Sequence, residues 1–333
     1  MYTAFFGFKE NPFNLTPDPR YLFLSRYHRE ALEHLLYGIN ERKGFIAITG
    51  GIGTGKTTLC RALLDHLDRN IKSALIFSSF ISDEEILKTI NYEFGIEMNP
   101  GASSKKEYID ALNAFLLKNF SKGGNALLLI DEAQNLSHPV LEQIRMLSNL
   151  ETEKEKLLQI VLVGQSELKG LLERPSLRQL NERITVRYNL KPLDKADLRG
   201  YVQHRLTVAG GKGDIGFLNR ALKAVYAYSR GNPRRINAVC DRALLIAFTA
   251  EKRQVSRRMI KAAIKDLTGR SASPGAAKRP FRWVGWAAAL LLVMIFAAGL
   301  HVWIYRGHSK GIFSRILGQE APAPLPAATA EAS

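Results

Sequence analysis

The stretch Gly50-Gly51-Ile52-Gly53-Thr54-Gly55-Lys56-Thr57-Thr58 constrains this chain more than any other. It satisfies the pattern G-x-x-x-x-G-K-[ST] in full. Phe45 to Thr49, just before it, is an apolar run that reads as a short buried strand. Thr57 to Leu67, just after it, carries Leu59, Ala62, Leu63, Leu64 and Leu67 and reads as a helix. Strand, glycine-rich turn and helix together form the context in which this pattern holds a phosphate. The glycines let backbone N–H groups turn inward with no side chain in the way. The helix N-terminus adds partial positive charge. Lys56 supplies a point charge for β- and γ-phosphates, and the Thr57 hydroxyl is placed to hold Mg²⁺. These nine residues are the candidate binding set for ATP with Mg²⁺.

The second signal is Ala126-Leu127-Leu128-Leu129-Ile130-Asp131-Glu132. An unbroken apolar run reads as a strand buried on both faces of a parallel sheet. Its C-terminal end is where ligands bind in open α/β sheets. Asp131 is placed to join the Mg²⁺ shell, and Glu132 to take a proton from the attacking water. Gln159 to Gln165 reads as a further strand. Its terminal Gln165 can reach the γ-phosphate or its water, with an ordinary loop amide as the equal alternative. Arg178 and Arg183 flank a helical turn before Ile184-Thr185-Val186. An arginine presented to a neighbouring subunit's γ-phosphate would stabilise the charge of the transition state, and surface arginines are the alternative.

From Pro192 onward the pattern changes. Ala196 to Ala209, Phe217 to Ser229, Arg235 to Ala250 and Ser256 to Leu267 all have helical spacing, and no strand is expected among them. Arg234, at the start of one such helix, is a candidate to reach the nucleotide. The formal net charge is +16, which suits an anionic partner such as lipid, nucleotide or nucleic acid. The Arg- and Lys-rich face around Arg253, Arg257, Arg258, Lys261 and Lys265 is read as lying near anionic lipid, and nucleic acid is not the expected partner. Cys60 and Cys240 both sit in apolar helical contexts and are read as buried thiols of a reducing compartment.

Met1 to Lys9 has neither a basic run nor a long apolar run, so no signal peptide is expected. Trp283 through Ile304 contains no Asp, Glu, Lys or Arg. At about 1.5 Å per residue it can cross a hydrocarbon core of roughly 30 Å. Trp283, Trp286, Trp303 and Tyr305 mark its ends, as interfacial aromatics do. Because ATP is cytosolic, the N-terminal part is placed in the cytoplasm and the tail outside. Near the N-terminus, Asn11-Pro12-Phe13 and Thr16-Pro17-Asp18-Pro19 are turn chemistry. Tyr27 to Ile39 reads as a helix, with Tyr21, Phe23 and Tyr27 as candidate neighbours of the base or as core residues.

Taken in order, these landmarks resemble the AAA+ ATPases of the ExeA type, also called general secretion pathway protein A. The resemblance rests on Tyr2 to Phe8, the two N-terminal turns, Tyr21-Leu22-Phe23 and the glycine-rich loop. It continues through Leu129-Ile130-Asp131-Glu132-Ala133-Gln134, Leu147-Ser148-Asn149-Leu150-Glu151, Val163-Gly164-Gln165 and Gly231-Asn232-Pro233-Arg234-Arg235-Ile236-Asn237. It covers about residues 1–270. It implies that Asp131 and Glu132 form the Walker B pair, that Gln165 sits at sensor 1 and that Arg234 is sensor 2. It also implies that Arg183 or Arg178, with Arg183 preferred, is an arginine finger acting between subunits of a homo-oligomer. Members with a span usually carry a periplasmic peptidoglycan-binding domain behind it and act in assembling a secretin of type II secretion. This chain ends about thirty residues after the span, so any peptidoglycan binding is expected to belong to a partner protein.

The expected fold is thus an α/β P-loop NTPase of AAA+ type with a parallel sheet, a C-terminal all-helical lid and one transmembrane helix. The boundaries are 1–190 for the ATPase core, 191–270 for the lid, 271–282 for a linker, 283–304 for the span and 305–333 for a short, disordered periplasmic tail. The expected function is a bacterial inner-membrane, single-pass ATPase that drives assembly of an envelope secretion or export complex. The alternatives are a DNA-binding regulatory or transposition-type ATPase, or a nucleotide-gated scaffold.

Overall fold

The computed structural model describes residues 2–77, 81–98, 104–269 and 291–303. A short helix, α1 (Tyr2–Phe6), leads through the two proline-containing turns to α2 (Arg26–Asn40), which Ser25 caps by accepting from the His28 N–H. β1 (Phe45–Gly50), α3 (Lys56–His66), β2 (Ile71–Phe77), α4 (Asp83–Glu93), α5 (Lys105–Phe120) and β3 (Asn125–Asp131) follow. Then come α6 (His138–Leu147), β4 (Gln159–Gly164), α7 (Ser166–Leu172), α8 (Arg178–Arg183) and β5 (Ile184–Leu190). The last stretch holds α9 (Asp197–Val208), β6 (Gly216–Phe217), α10 (Asn219–Ser229), α11 (Pro233–Thr249), β7 (Gln254–Val255) and α12 (Arg257–Leu267).

The five long strands pair in parallel in the order β2-β3-β4-β1-β5. β3 and β4 are buried at every position. Their side chains alternate between two cores, as a period of two requires. Leu128, Ile130, Ile160 and Leu162 face the α4, α5 and α6 side, while Leu127, Leu129, Val161 and Val163 face α2 and α3. Burying each such side chain contributes about 1.5–3 kcal/mol over leaving it exposed. This packing sets the C-terminal ends of β1, β3 and β4 side by side.

A third core belongs to α9–α12, and Phe6, Phe8 and Phe13 from the N-terminal segment are packed into it. Two features depart from the sequence reading. β6 and β7 form a two-residue parallel ladder, Gly216 with Gln254 and Phe217 with Val255, where no strand was expected. Strands this short show no alternation in sequence. The spacing from Tyr108 to Phe120 reads as a helix, and α5 begins three residues earlier, at Lys105, because Ser104 and Glu107 form a capping box.

Residues 291–303 are helical, with Leu291, Ile295 and Phe296 exposed. Among the described residues no helix is long and apolar enough to cross a membrane. The expected span at 283–304 begins outside the described residues, and the linker 271–282 and the tail 305–333 lie wholly outside them. Cys60 and Cys240 are free and buried, and burial pushes both thiols up.

Candidate functional site

The turn between β1 and α3 is held by its own backbone. Gly53 and Gly55 lie in the left-handed region, at φ 75 and 101, which an L-residue adopts only with strain. A Cβ on Gly53 would stand 2.6 Å from Arg234 Cβ, and one on Gly50 would stand 2.8 Å from the Leu190 carbonyl oxygen. The side chain of Lys56 curls back over the loop and donates to Gly50 O at 3.0 Å and Gly51 O at 3.2 Å. Burial lowers its ammonium below the usual lysine range, while nearby Glu132 and Asp131 act in the opposite direction.

Thr57 Oγ1 donates to Asp131 Oδ2 at 2.6 Å, across from the end of β3. Asp131 is buried, and its Oδ1 accepts from the Glu132 N–H at 2.8 Å. Among the described residues no three His, Cys, Asp or Glu side chains cluster as a metal cage. A hydroxyl and one carboxylate side by side, next to the glycine-rich turn, fit a hard cation such as Mg²⁺. That ion completes its shell with water and substrate phosphates.

Glu132 itself has φ 53. A non-glycine residue in this region costs about 1–3 kcal/mol and is held there by its surroundings. Its Oε2 accepts from two amides, Gln134 Nε2 at 2.5 Å and Gln165 Nε2 at 3.1 Å. Gln165 therefore reaches Glu132. Gln134 is a contact that sequence reasoning did not assign, although it stands two residues beyond the acids.

The N-terminus of α11 closes over the loop. Asn232 Nδ2 donates to Ile52 O at 2.6 Å, and the Arg234 N–H donates to Gly53 O at 3.3 Å. On the other side, buried His28 shares a hydrogen bond with Thr54 O at 3.0 Å and another with Ser25 Oγ at 2.7 Å. Burial lowers its imidazolium below the usual range. Nothing in the sequence around His28 marks it as a brace for a loop 26 residues away.

A cavity of about 330 Å³ runs from the loop towards the helical bundle, in the range of small-ligand sites. Ile52, Gly53, Gly55, Lys56, Thr57, Thr58, Glu132, Gln165 and Arg234 line one end. Tyr21, Phe23, Tyr201, Arg205 and Asn237 line the other, with the turn at Asn14 to Asp18. Tyr21 and Phe23 are thus at the cavity, whereas Tyr27 packs beside the sheet under Lys191. The buried Arg205 guanidinium donates to Pro12 O at 2.6 Å and Asn14 O at 3.0 Å, and lies 4.5 Å from the Tyr21 ring centroid. Tyr201 donates to Asn237 Oδ1 at 2.7 Å.

Arg178 and Arg183 do not line the cavity. Arg178 pairs with Glu182 one turn on, and is exposed. Arg183 is held against the end of α6 by the Ser148 hydroxyl, by Asn149 Oδ1 at 2.8 Å and by Arg145 O at 3.4 Å.

Residues 39–172 match the AAA domain family. The chain is 44% identical over 269 residues to general secretion pathway protein A of Aeromonas hydrophila. That similarity covers 81% of this chain and 49% of the relative, so the chain spans about half its length. Among solved structures, the ORC2 protein of Aeropyrum pernix is similar at TM-score 0.60 and 18% identity, over 78% of this chain and 72% of that one. Cdc6p from Pyrobaculum aerophilum is similar at TM-score 0.60 and 16% identity, over 77% and 70%. At such identities the solved structures show a shared fold and nothing finer.

Proposed function

Since this chain carries an AAA domain of the general secretion pathway protein A type, we propose that it binds ATP with Mg²⁺ and hydrolyses the ATP. The hydrolysis would drive assembly of a cell-envelope secretion or export complex. The observation that carries the nucleotide reading is the Thr57–Asp131 hydrogen bond of 2.6 Å, with Lys56 and Glu132 on either side of it.

The glycine-rich turn and the first N–H groups of α3 bind the phosphates, and Lys56 exchanges its loop carbonyls for β- and γ-phosphate oxygens. Thr57 Oγ1 and Asp131 would hold Mg²⁺, which when bound offsets negative charge on the phosphates. Glu132 takes a proton from a water. The water oxygen bonds to the γ-phosphorus as the bond from that phosphorus to the β–γ bridging oxygen breaks, leaving ADP and inorganic phosphate. Gln165 orients the water side, and Arg234 meets the phosphates from α11. Residues 1–190 act as the nucleotide core, 191–270 as the lid.

Arg183, or Arg178, serves the cavity of a neighbouring copy, so turnover requires a homo-oligomer. The charge-free stretch from Trp283 to Ile304 anchors the chain in the inner membrane with the ATPase in the cytoplasm. The envelope partner takes up the mechanical output. ATP turnover per subunit, measured against protein concentration with and without Arg183→Ala, tests this. A rate that climbs with concentration and collapses in the variant supports a finger acting between subunits. A flat rate that ignores the substitution removes Arg183 from the site.

A further inference from the structure

We propose that Gln134 is a positioning residue for the hydrolytic water: it fixes the Glu132 carboxylate to the end of β4 so that only one of its oxygens can take the proton. This rests on the ATPase reading above.

Both ends of the Gln134 amide are engaged. Nε2 donates to Glu132 Oε2 at 2.5 Å, and Oε1 accepts from the Gln165 backbone N–H at 3.0 Å. The Gln165 side chain donates to the same Glu132 oxygen at 3.1 Å. The three residues close a ring that ties the turn after β3 to the turn after β4. Both donors converge on Oε2, which leaves Oε1 as the oxygen able to accept from water.

Two further observations suit a built contact. Glu132 sits at φ 53, a conformation its own backbone does not favour, so its carboxylate direction depends on being held. At the end of β4, a Cβ on Gly164 would stand 2.7 Å from Gln134 Oε1. A glycine at this point leaves the room that the Gln134 amide occupies. The Gln165 side chain supplies a second donor to Glu132 Oε2, and Gln134 also ties that oxygen to the end of β4 through the Gln165 N–H. Lys56 and Thr57 bond to the loop carbonyls and to Asp131, and Asp131 meets Glu132 through the Glu132 backbone N–H rather than its carboxylate.

The test uses the full chain and measures ATP turnover and ATP affinity side by side, in wild type, Gln134→Glu, Gln134→Leu, Glu132→Gln and the Glu132→Gln/Gln134→Leu double variant. Gln134→Glu keeps an acceptor for the Gln165 N–H but sets a carboxylate against Glu132 in place of the donor, whereas Gln134→Leu removes both contacts without adding charge. Both Gln134 variants should lower kcat by about tenfold or more with ATP affinity changed less than about twofold. In the Glu132→Gln background, Gln134→Leu should add almost nothing, because residues that act through one group are not additive. Unchanged kcat in both Gln134 variants overturns the inference and leaves the ATPase intact. So does a full tenfold effect persisting without Glu132. A wild type that binds ATP but never turns it over overturns the ATPase reading and this inference together.

Discussion

The two ends of the cavity are held by opposite means. At the phosphate end the turn is shaped first by local contacts to its own backbone, with His28 and Asn232 bracing it from α2 and α11. Lys56 returns to carbonyls five and six residues earlier, and glycine conformations shape the turn. At the other end the contacts are made by side chains and cross the whole unit. Arg205 reaches Pro12 and Asn14 across 193 and 191 residues. Tyr201 joins it to Asn237, and Tyr21 stacks near the guanidinium. The shape of the turn itself therefore depends first on β1 and α3. The far end exists only when the N-terminal segment and the helical bundle have come together. The difference assigns chemistry to the first end and coupling between segments to the second.

Lys56→Ala should break the phosphate end most severely. Turnover per ATP concentration, kcat/KM, should fall by about 10²- to 10³-fold, as when one donor to developing phosphate charge is lost. Melting temperature should stay near wild type, because the ammonium is held by loop carbonyls rather than by the core. Arg205→Ala should do the reverse. It removes a buried cation from two carbonyl acceptors and from the Tyr21 ring, which should cost about 2–4 kcal/mol of stability. Chemical denaturation checks this, and the N-terminal segment should become the first region to exchange amide hydrogens. If Arg205→Ala instead left stability untouched, the account of the far end would fail.

The unequal legibility of the two ends in the sequence has the same origin. The glycine-rich pattern, the β3 run and its terminal acids are contiguous, so residue type and spacing suffice to place them. Ser82 and Ser104 each announce a helix start through an acid three residues on. Arg205 and His28 gave no local sign, and Asn232 stood inside a recognised motif that did not show its contact with Ile52, because what these residues touch lies far off in sequence. β6 and β7 were missed because two residues cannot show a period. Gln134 stood inside a recognised motif, yet its role depends on the Gln165 backbone 31 residues away.

His28 gives a smaller, pH-dependent handle on the brace between α2 and the loop. Its folded-state pKa is lowered by burial, so the neutral ring is the form the fold accepts. Its share of stability is present above the unfolded value of about 6.5 and is lost as pH falls from there through the lower folded value. Denaturant midpoints for wild type should therefore drop on going below about pH 6.5, and His28→Gln should flatten that part of the profile. A profile of equal steepness in the variant would remove His28 as its source. Smallest of all, Arg178→Ala should leave the melting temperature of the chain unchanged, because its pair with Glu182 is exposed on the helix surface. Loss of turnover in Arg178→Ala with Arg183→Ala silent would move the finger from Arg183 to Arg178.

The central claim is that Glu132, set beside the Thr57–Asp131 pair, takes the proton from the water that attacks ATP. Single-turnover hydrolysis by full-length wild type and Glu132→Gln, with ATP affinity measured on the same samples, tests it most directly. The account predicts that Glu132→Gln binds ATP as wild type does and hydrolyses it about 10²- to 10⁴-fold more slowly, the span a general base supplies. Hydrolysis at the wild-type rate in Glu132→Gln would contradict it.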